Sequence, residues 1–148
     1  MKVLLVVVDG MRPDAMVQIP KARELMKKAT YTLNGRTVFV SATLPAHMSL
    51  FHSVDTERHG TILNSFVPQV RPINGLSEVL KANGKSSAHF YTWELLRDLS
   101  RPGCLPFPPW SDTIITDQSS SSVCIILSML SNASAIDSIY SLLIHPYR

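Results

Sequence analysis

The sequence predicts an α/β fold, a mostly parallel sheet flanked by helices. Three observations carry this. Val3 to Val8 is an unbroken run of valine and leucine, the pattern of a strand covered on both faces. Apolar residues recur at helical spacing after Pro20 and again after Gly75. Ser86 to Tyr91 then reads as a further strand, and strands alternating with helices build a parallel sheet with helices on both sides.

Taken in order, Asp9-Gly10 ends the first strand, and Met11 to Gln18 reads as a loop holding Pro13 and Asp14. Pro20 opens a helix, since proline is tolerated in the first turn; Ala22, Leu25, Met26 and Ala29 mark its apolar side. Asn34-Gly35 signals a turn, and Thr37 to Val40 reads as a short strand. Pro45 begins a helix running to about Ser53. Asn74 or Gly75 starts the next, with Leu76, Val79, Leu80 and Ala82 as its apolar face and Gly84 as its stop. Phe90, Tyr91 and Trp93 read as core or pocket wall.

The chain has 148 residues, enough for one domain at most, and a net charge of +3. No run of Lys or Arg exceeds two, which excludes a nucleic-acid stripe. The apolar start is too short for a secretory signal, and no stretch reaches the roughly 18 apolar residues of a membrane span. Cys104 and Cys124 are too few for a disulfide framework. The expectation is a cytoplasmic protein without nucleic-acid or membrane partners.

The character changes near Gly103. Residues 104–148 carry only four charged side chains, Asp112, Asp117, Asp137 and Arg148, together with ten serines and no lysine or glutamate. Helices of an α/β domain normally show a charged face. Residues 1–103 therefore read as an α/β domain fragment and 104–148 as an atypical Ser/Pro-rich apolar tail, truncated or frame-shifted. A buried hairpin or helix pair is the alternative. A sheet cut in this way exposes an edge and an apolar face, so self-association through the half-sheet is expected.

Three residues are candidates for chemistry. Asp9 follows a strand directly, at the carboxyl edge where α/β sites collect, and a carboxylate there suits a divalent cation. Its alternative is a loop or capping aspartate, and Asp14 is a weaker candidate of the same kind. Thr43, in Ser41-Ala42-Thr43-Leu44-Pro45-Ala46-His47, places a hydroxyl at a strand-to-helix turn, with helix amides available to attract phosphoryl oxygens. A hydroxyl is a poor nucleophile at neutral pH unless a metal or a base activates it. Its alternative is a helix cap. Asn64, after Arg58-His59-Gly60, offers NH2 donors for a phosphoryl oxygen; its alternative is an ordinary loop residue. His47, His52, His59 and His89 read as residues satisfied locally, and Asn132-Ala133-Ser134 as a chance glycosylation pattern.

Val6-Val7-Val8-Asp9-Gly10 with Arg12-Pro13-Asp14, the Thr43-Leu44-Pro45-Ala46-His47 segment, and Asp55 through Asn64 together resemble the type I phosphodiesterase/nucleotide pyrophosphatase branch of the alkaline phosphatase superfamily. Their order and spacing agree with that family from about Lys2 to Gly103. The resemblance implies an alkaline-phosphatase-like α/β fold and hydrolysis of phosphodiester or phosphomonoester bonds in a phosphate-ester or nucleotide-like substrate. It implies two divalent ions, usually zinc, with Asp9 and Thr43 as ligands of one of them. Thr43 is then the nucleophile, forming a phosphothreonine, and Asn64 stabilises the oxyanion. The family's remaining ligands, an Asp and a His on one segment, an Asp-His pair and a final His, have no match after Cys104. The chain is therefore expected to bind metal weakly and to turn over slowly or not at all. A non-catalytic module retaining the half-fold is the alternative. The absence of a Cys or Ser in a sulfatase signature argues against a sulfatase, and the absence of Gly-x-Gly-x-x-Gly after the first strand against a dinucleotide binder.

Overall fold

The valine and leucine run forms β1 (Val3–Val8), as its β-branched composition dictates. The structure is a computed structural model describing residues 3–69, 71–105 and 123–129. Six helices or helical turns follow or flank the strands: α1 (Pro13–Met16), α2 (Pro20–Met26), α3 (Thr43–His52), α4 (Thr56–His59), α5 (Leu76–Ala82) and a 3-10 helix over Glu94–Leu99. The other strands are β2 (Ser86–Tyr91) and β3 (Val123–Met129).

The sheet departs from the parallel arrangement expected. Its order is β1-β3-β2, and β3 pairs antiparallel with both neighbours, Val3 opposite Ser128 and Ser86 opposite Met129. β1 and β2 thus run in the same direction, but one strand apart. The middle strand comes from the sparsely charged tail, whose apolar run carries no periodic signal of strand direction. Antiparallel sheets can leave one face to water, which parallel ones seldom do. Accordingly β1 is not covered on both faces: Leu5 and Val7 pack against the core, whereas Val3, Leu4, Val6 and Val8 are exposed.

Three further expectations change. Residues 37–40 form no strand, and Met11 to Gln18 contains the single turn α1, opened by Pro13. The most deeply buried side chains of α5 are polar: Ser77 and Glu78 are buried, Leu76 and Leu80 are half-buried, and Val79 and Ala82 are exposed. The reason is tertiary. Glu78 accepts the Gly75 N–H at 2.8 Å and the Arg101 N–H at 2.7 Å, so its burial is compensated by two charge-assisted bonds. Gly75 is required by closeness, since a Cβ there would lie 2.9 Å from the Glu78 carboxylate and 3.0 Å from His52 Nε2.

The core is small. Leu44, Met48 and Phe51 from α3 meet Leu96 and Leu99 of the 3-10 helix, with Leu76, Tyr91 and Trp93 partly buried against them. This packing anchors α3, and with it the start of α3, against the sheet. Asp112, Asp117, Asp137 and the Asn132-Ala133-Ser134 pattern lie outside the described residues. No helix among the described residues is long and apolar enough to cross a membrane.

Candidate functional site

The three singled-out residues meet at the start of α3. Thr43 Oγ1 donates to Asp9 Oδ2 at 2.8 Å, joining the end of β1 to the helix across 34 positions of sequence. Asp9 Oδ1 accepts the Gly10 N–H at 2.9 Å, which fixes the carboxylate plane. Asn64 Oδ1 accepts the Leu44 N–H at 2.9 Å. An N–H can only donate, so the oxygen of this carboxamide faces the helix and its NH2 is turned elsewhere.

The helix start explains why these bonds form. The N-cap position is held by Ala42, whose side chain cannot cap. Thr43 is the first helical residue, and its hydroxyl serves Asp9 instead of a backbone amide, so the capping alternative does not hold. Pro45 has no N–H, and Ala46 N–H bonds Ala42 O at 3.0 Å. With the Leu44 amide taken by Asn64, the cluster of helix amides expected to attract phosphoryl oxygens reduces to that of Thr43. Asn64 itself reaches the helix because Gly60, at φ +77°, turns the chain at the end of α4.

The histidines are held locally. His47 Nδ1 donates to Thr43 O at 2.8 Å, and His52 Nδ1 to Met48 O at 3.0 Å. His47 is buried and stacked on Phe51, and its Nε2 has no hydrogen-bond partner among the described residues. His59 accepts the Thr61 N–H at Nδ1 and lies 2.8 Å from Ser49 Oγ through Nε2. Burial, with His52 nearby, lowers its pKa. His89 Nε2 lies 2.9 Å from Ser77 Oγ, and Ser100 Oγ lies 3.1 Å from His89 Nδ1. Asp14 is exposed and clamped in a two-bond fork with Arg12.

The role of Asn64 as a clamp on the Leu44 amide, and of His47 on the Thr43 carbonyl, were not visible in the sequence. The only signal there was Pro45, which leaves the first turn short of donors and makes each remaining amide count. Asn64→Asp keeps an oxygen for that amide and should leave the melting temperature nearly unchanged, whereas Asn64→Ala should cost about 1 kcal/mol. Thermal melting of the two variants checks this.

Asp9 and Thr43 bring two oxygens together, a donor set suited to a hard or borderline divalent ion. Among the described residues, however, no group of three His, Cys, Asp or Glu side chains converges to hold an ion. Zinc takes three or four protein ligands, so these residues fit only part of such a site.

Residues 3–111 match the family described as type I phosphodiesterase / nucleotide pyrophosphatase, eight residues beyond the boundary drawn at Gly103. No curated protein and no solved structure matches the chain. The match spans well over half of the sequence and contains Asp9, Thr43 and Asn64. The chain belongs to the type I phosphodiesterase / nucleotide pyrophosphatase family, hydrolases of phosphodiester-type bonds that are generally metal-dependent.

Proposed function

We propose that the chain cleaves phosphodiester or phosphomonoester bonds with Thr43 as nucleophile, at a rate limited by its incomplete set of metal ligands. The observation that carries this reading is the 2.8 Å bond from Thr43 Oγ1 to Asp9 Oδ2. It orients a lone pair of the hydroxyl oxygen away from the carboxylate and gives the proton a destination. In the proposed step the Thr43 oxygen bonds to phosphorus, its proton passes to Asp9, and the bond to the leaving oxygen breaks in line. The carboxamide NH2 of Asn64 supports the developing charge on a non-bridging oxygen. Water then hydrolyses the phosphothreonine and regenerates the hydroxyl.

The test is to incubate the full chain with bis(p-nitrophenyl) phosphate and zinc, then to map phosphoryl adducts by peptide mass spectrometry. An adduct on the peptide carrying Thr43 and slow nitrophenol release, both lost in Thr43→Ala, are expected. Release that survives Thr43→Ala unchanged would remove the nucleophile assignment. Two tight zinc sites together with rapid turnover would overturn the proposed impairment. A non-catalytic module is the second reading, favoured by the absence of a three-ligand cluster among the described residues. A chain with neither adduct nor release supports it.

A further inference from the structure

Asn64 stands in a stretch that regular structure does not fix: none of residues 60–69 belongs to a helix or strand. Apolar packing does not fix it either, since Ile62, Leu63 and Phe66 are exposed. Bonds through side chains pin it to α3 at two levels. At one, Asn64 Oδ1 accepts the Leu44 N–H at 2.9 Å. At the other stands His59, whose Nδ1 accepts the Thr61 N–H at 3.0 Å and whose Nε2 lies 2.8 Å from Ser49 Oγ on α3. An amide N–H can only donate, so in the neutral ring the proton sits on Nε2 and goes to Ser49. The Nδ1 bond to the amide two residues on has the pattern of an Asx turn. His59 and Thr61 are only 2% and 1% exposed, so water does not compete for either bond. Burial, with the His52 ring of α3, holds the His59 pKa below 6.5 against the Pro45 carbonyl and the Asp55 carboxylate, so the ring is neutral at neutral pH.

We infer that His59 is a positioning residue for the phosphoryl site: its ring, bonded to Ser49 on one side and to the Thr61 N–H on the other, sets where Asn64 stands against the start of α3. This rests on the phosphoester reading above, in which the Asn64 NH2 meets a phosphoryl oxygen. The carboxamide has two tasks at once. Its oxygen is spent on the Leu44 amide, which leaves the NH2 as its donor side. That side can meet a phosphate held at Thr43 only if the loop backbone keeps its place over the helix, since a shift of about 1 Å spoils a hydrogen bond. The Leu44 bond alone would let the loop pivot about one point, and the His59 bridge supplies the second. His59 thus acts through Asn64, not on the phosphate itself.

The test follows binding of inorganic phosphate to the isotope-labelled full chain by NMR, so it needs no turnover. In the parent, phosphate should move the Thr43 amide and the Asn64 side-chain NH2, and the ring nitrogen shifts of His59 at pH 7.5 should place its proton on Nε2. His59→Asn keeps an acceptor for the Thr61 N–H but cannot reach Ser49. It should weaken phosphate binding about tenfold, the worth of one hydrogen bond to a charged group, and silence the Asn64 NH2 while Thr43 still responds. In an Asn64→Ala background the same substitution should change the affinity little, because the two residues act as one unit. Ser49→Ala removes the other end of the bridge; it should repeat both results, and it carries the comparison if His59→Asn does not fold. A ring proton on Nδ1, an affinity unchanged in the variants, or an equal loss with and without Asn64 would each overturn the inference while the phosphoester reading stands. If phosphate moves neither Thr43 nor Asn64 in the parent, the phosphoester reading falls and the inference with it.

Discussion

Truncating Leu44 to alanine should lower the unfolding free energy by about 3 kcal/mol, because its side chain is wholly buried and the void left behind cannot fully collapse. A chain of this size has only some 5–15 kcal/mol in hand, so the loss is a large fraction of the total. Leu44 meets Met48, Phe51, Leu96 and Leu99 in the core. It is also the residue whose amide Asn64 holds, and it follows the threonine that faces Asp9. Leu96→Ala is the matched comparison, since Leu96 is equally buried but lies on the 3-10 helix. Urea unfolding should give similar losses for the two variants. Amide shifts should separate them, with Leu44→Ala disturbing Thr43 and Asn64 and Leu96→Ala leaving them close to their parent positions. If Leu44→Ala melts like the parent, the small core does not hold α3 as described.

Acidification should destabilise the fold by about 3 kcal/mol between pH 6.5 and 4 through His89. Burial lowers the pKa of this imidazole from 6.5 to about 4, an effect only partly opposed by the Glu78 carboxylate. The neutral ring is satisfied by Ser77 and Ser100, and Ser100 Oγ in turn donates to Ser77 Oγ at 2.9 Å. In the unfolded chain the same ring takes up a proton near its ordinary pKa. The unfolded state therefore binds more protons throughout this window, and stability falls with pH until the folded pKa is reached. Glu78 acts in the adjoining range. Burial pushes its pKa up, but the amides of Arg101 and Gly75 outweigh this and hold it below its ordinary 4.5, so its contribution is lost as pH falls below that value. Urea midpoints measured from pH 7.5 to 4 check the sign and size. In His89→Gln the slope above pH 5 should fall, leaving the part contributed by His59, whose pKa burial also lowers; an unchanged slope would assign the acid sensitivity to other groups.

What could be read without coordinates was local. The run Val3–Val8 makes a strand because valine and leucine suit an extended chain, and Pro20 starts a helix because its fixed φ fits the first turn. The helices after Ala42 and Gly75 and the strand Ser86–Tyr91 follow from spacing of the same kind. Asp9 and Thr43 could be singled out because a carboxylate and a hydroxyl fall where a strand end and a helix start present them, whereas Asn64, a loop residue, stood out through the family resemblance of the segment that carries it. Their meeting was decided by tertiary structure: a hydrogen bond 34 residues long in sequence is written in no window of local pattern. The same holds for the antiparallel insertion of β3 between β1 and β2, since a short apolar run fits either direction of pairing. It holds also for the deeply buried polar residues of α5, where Ser77 and Glu78 are inside only because His89 and the Arg101 amide arrive to satisfy them. Backbone preference and side-chain periodicity act over a few residues and are carried by the sequence itself. Which partner completes a buried hydrogen bond or an open strand edge depends on what the folded chain brings alongside.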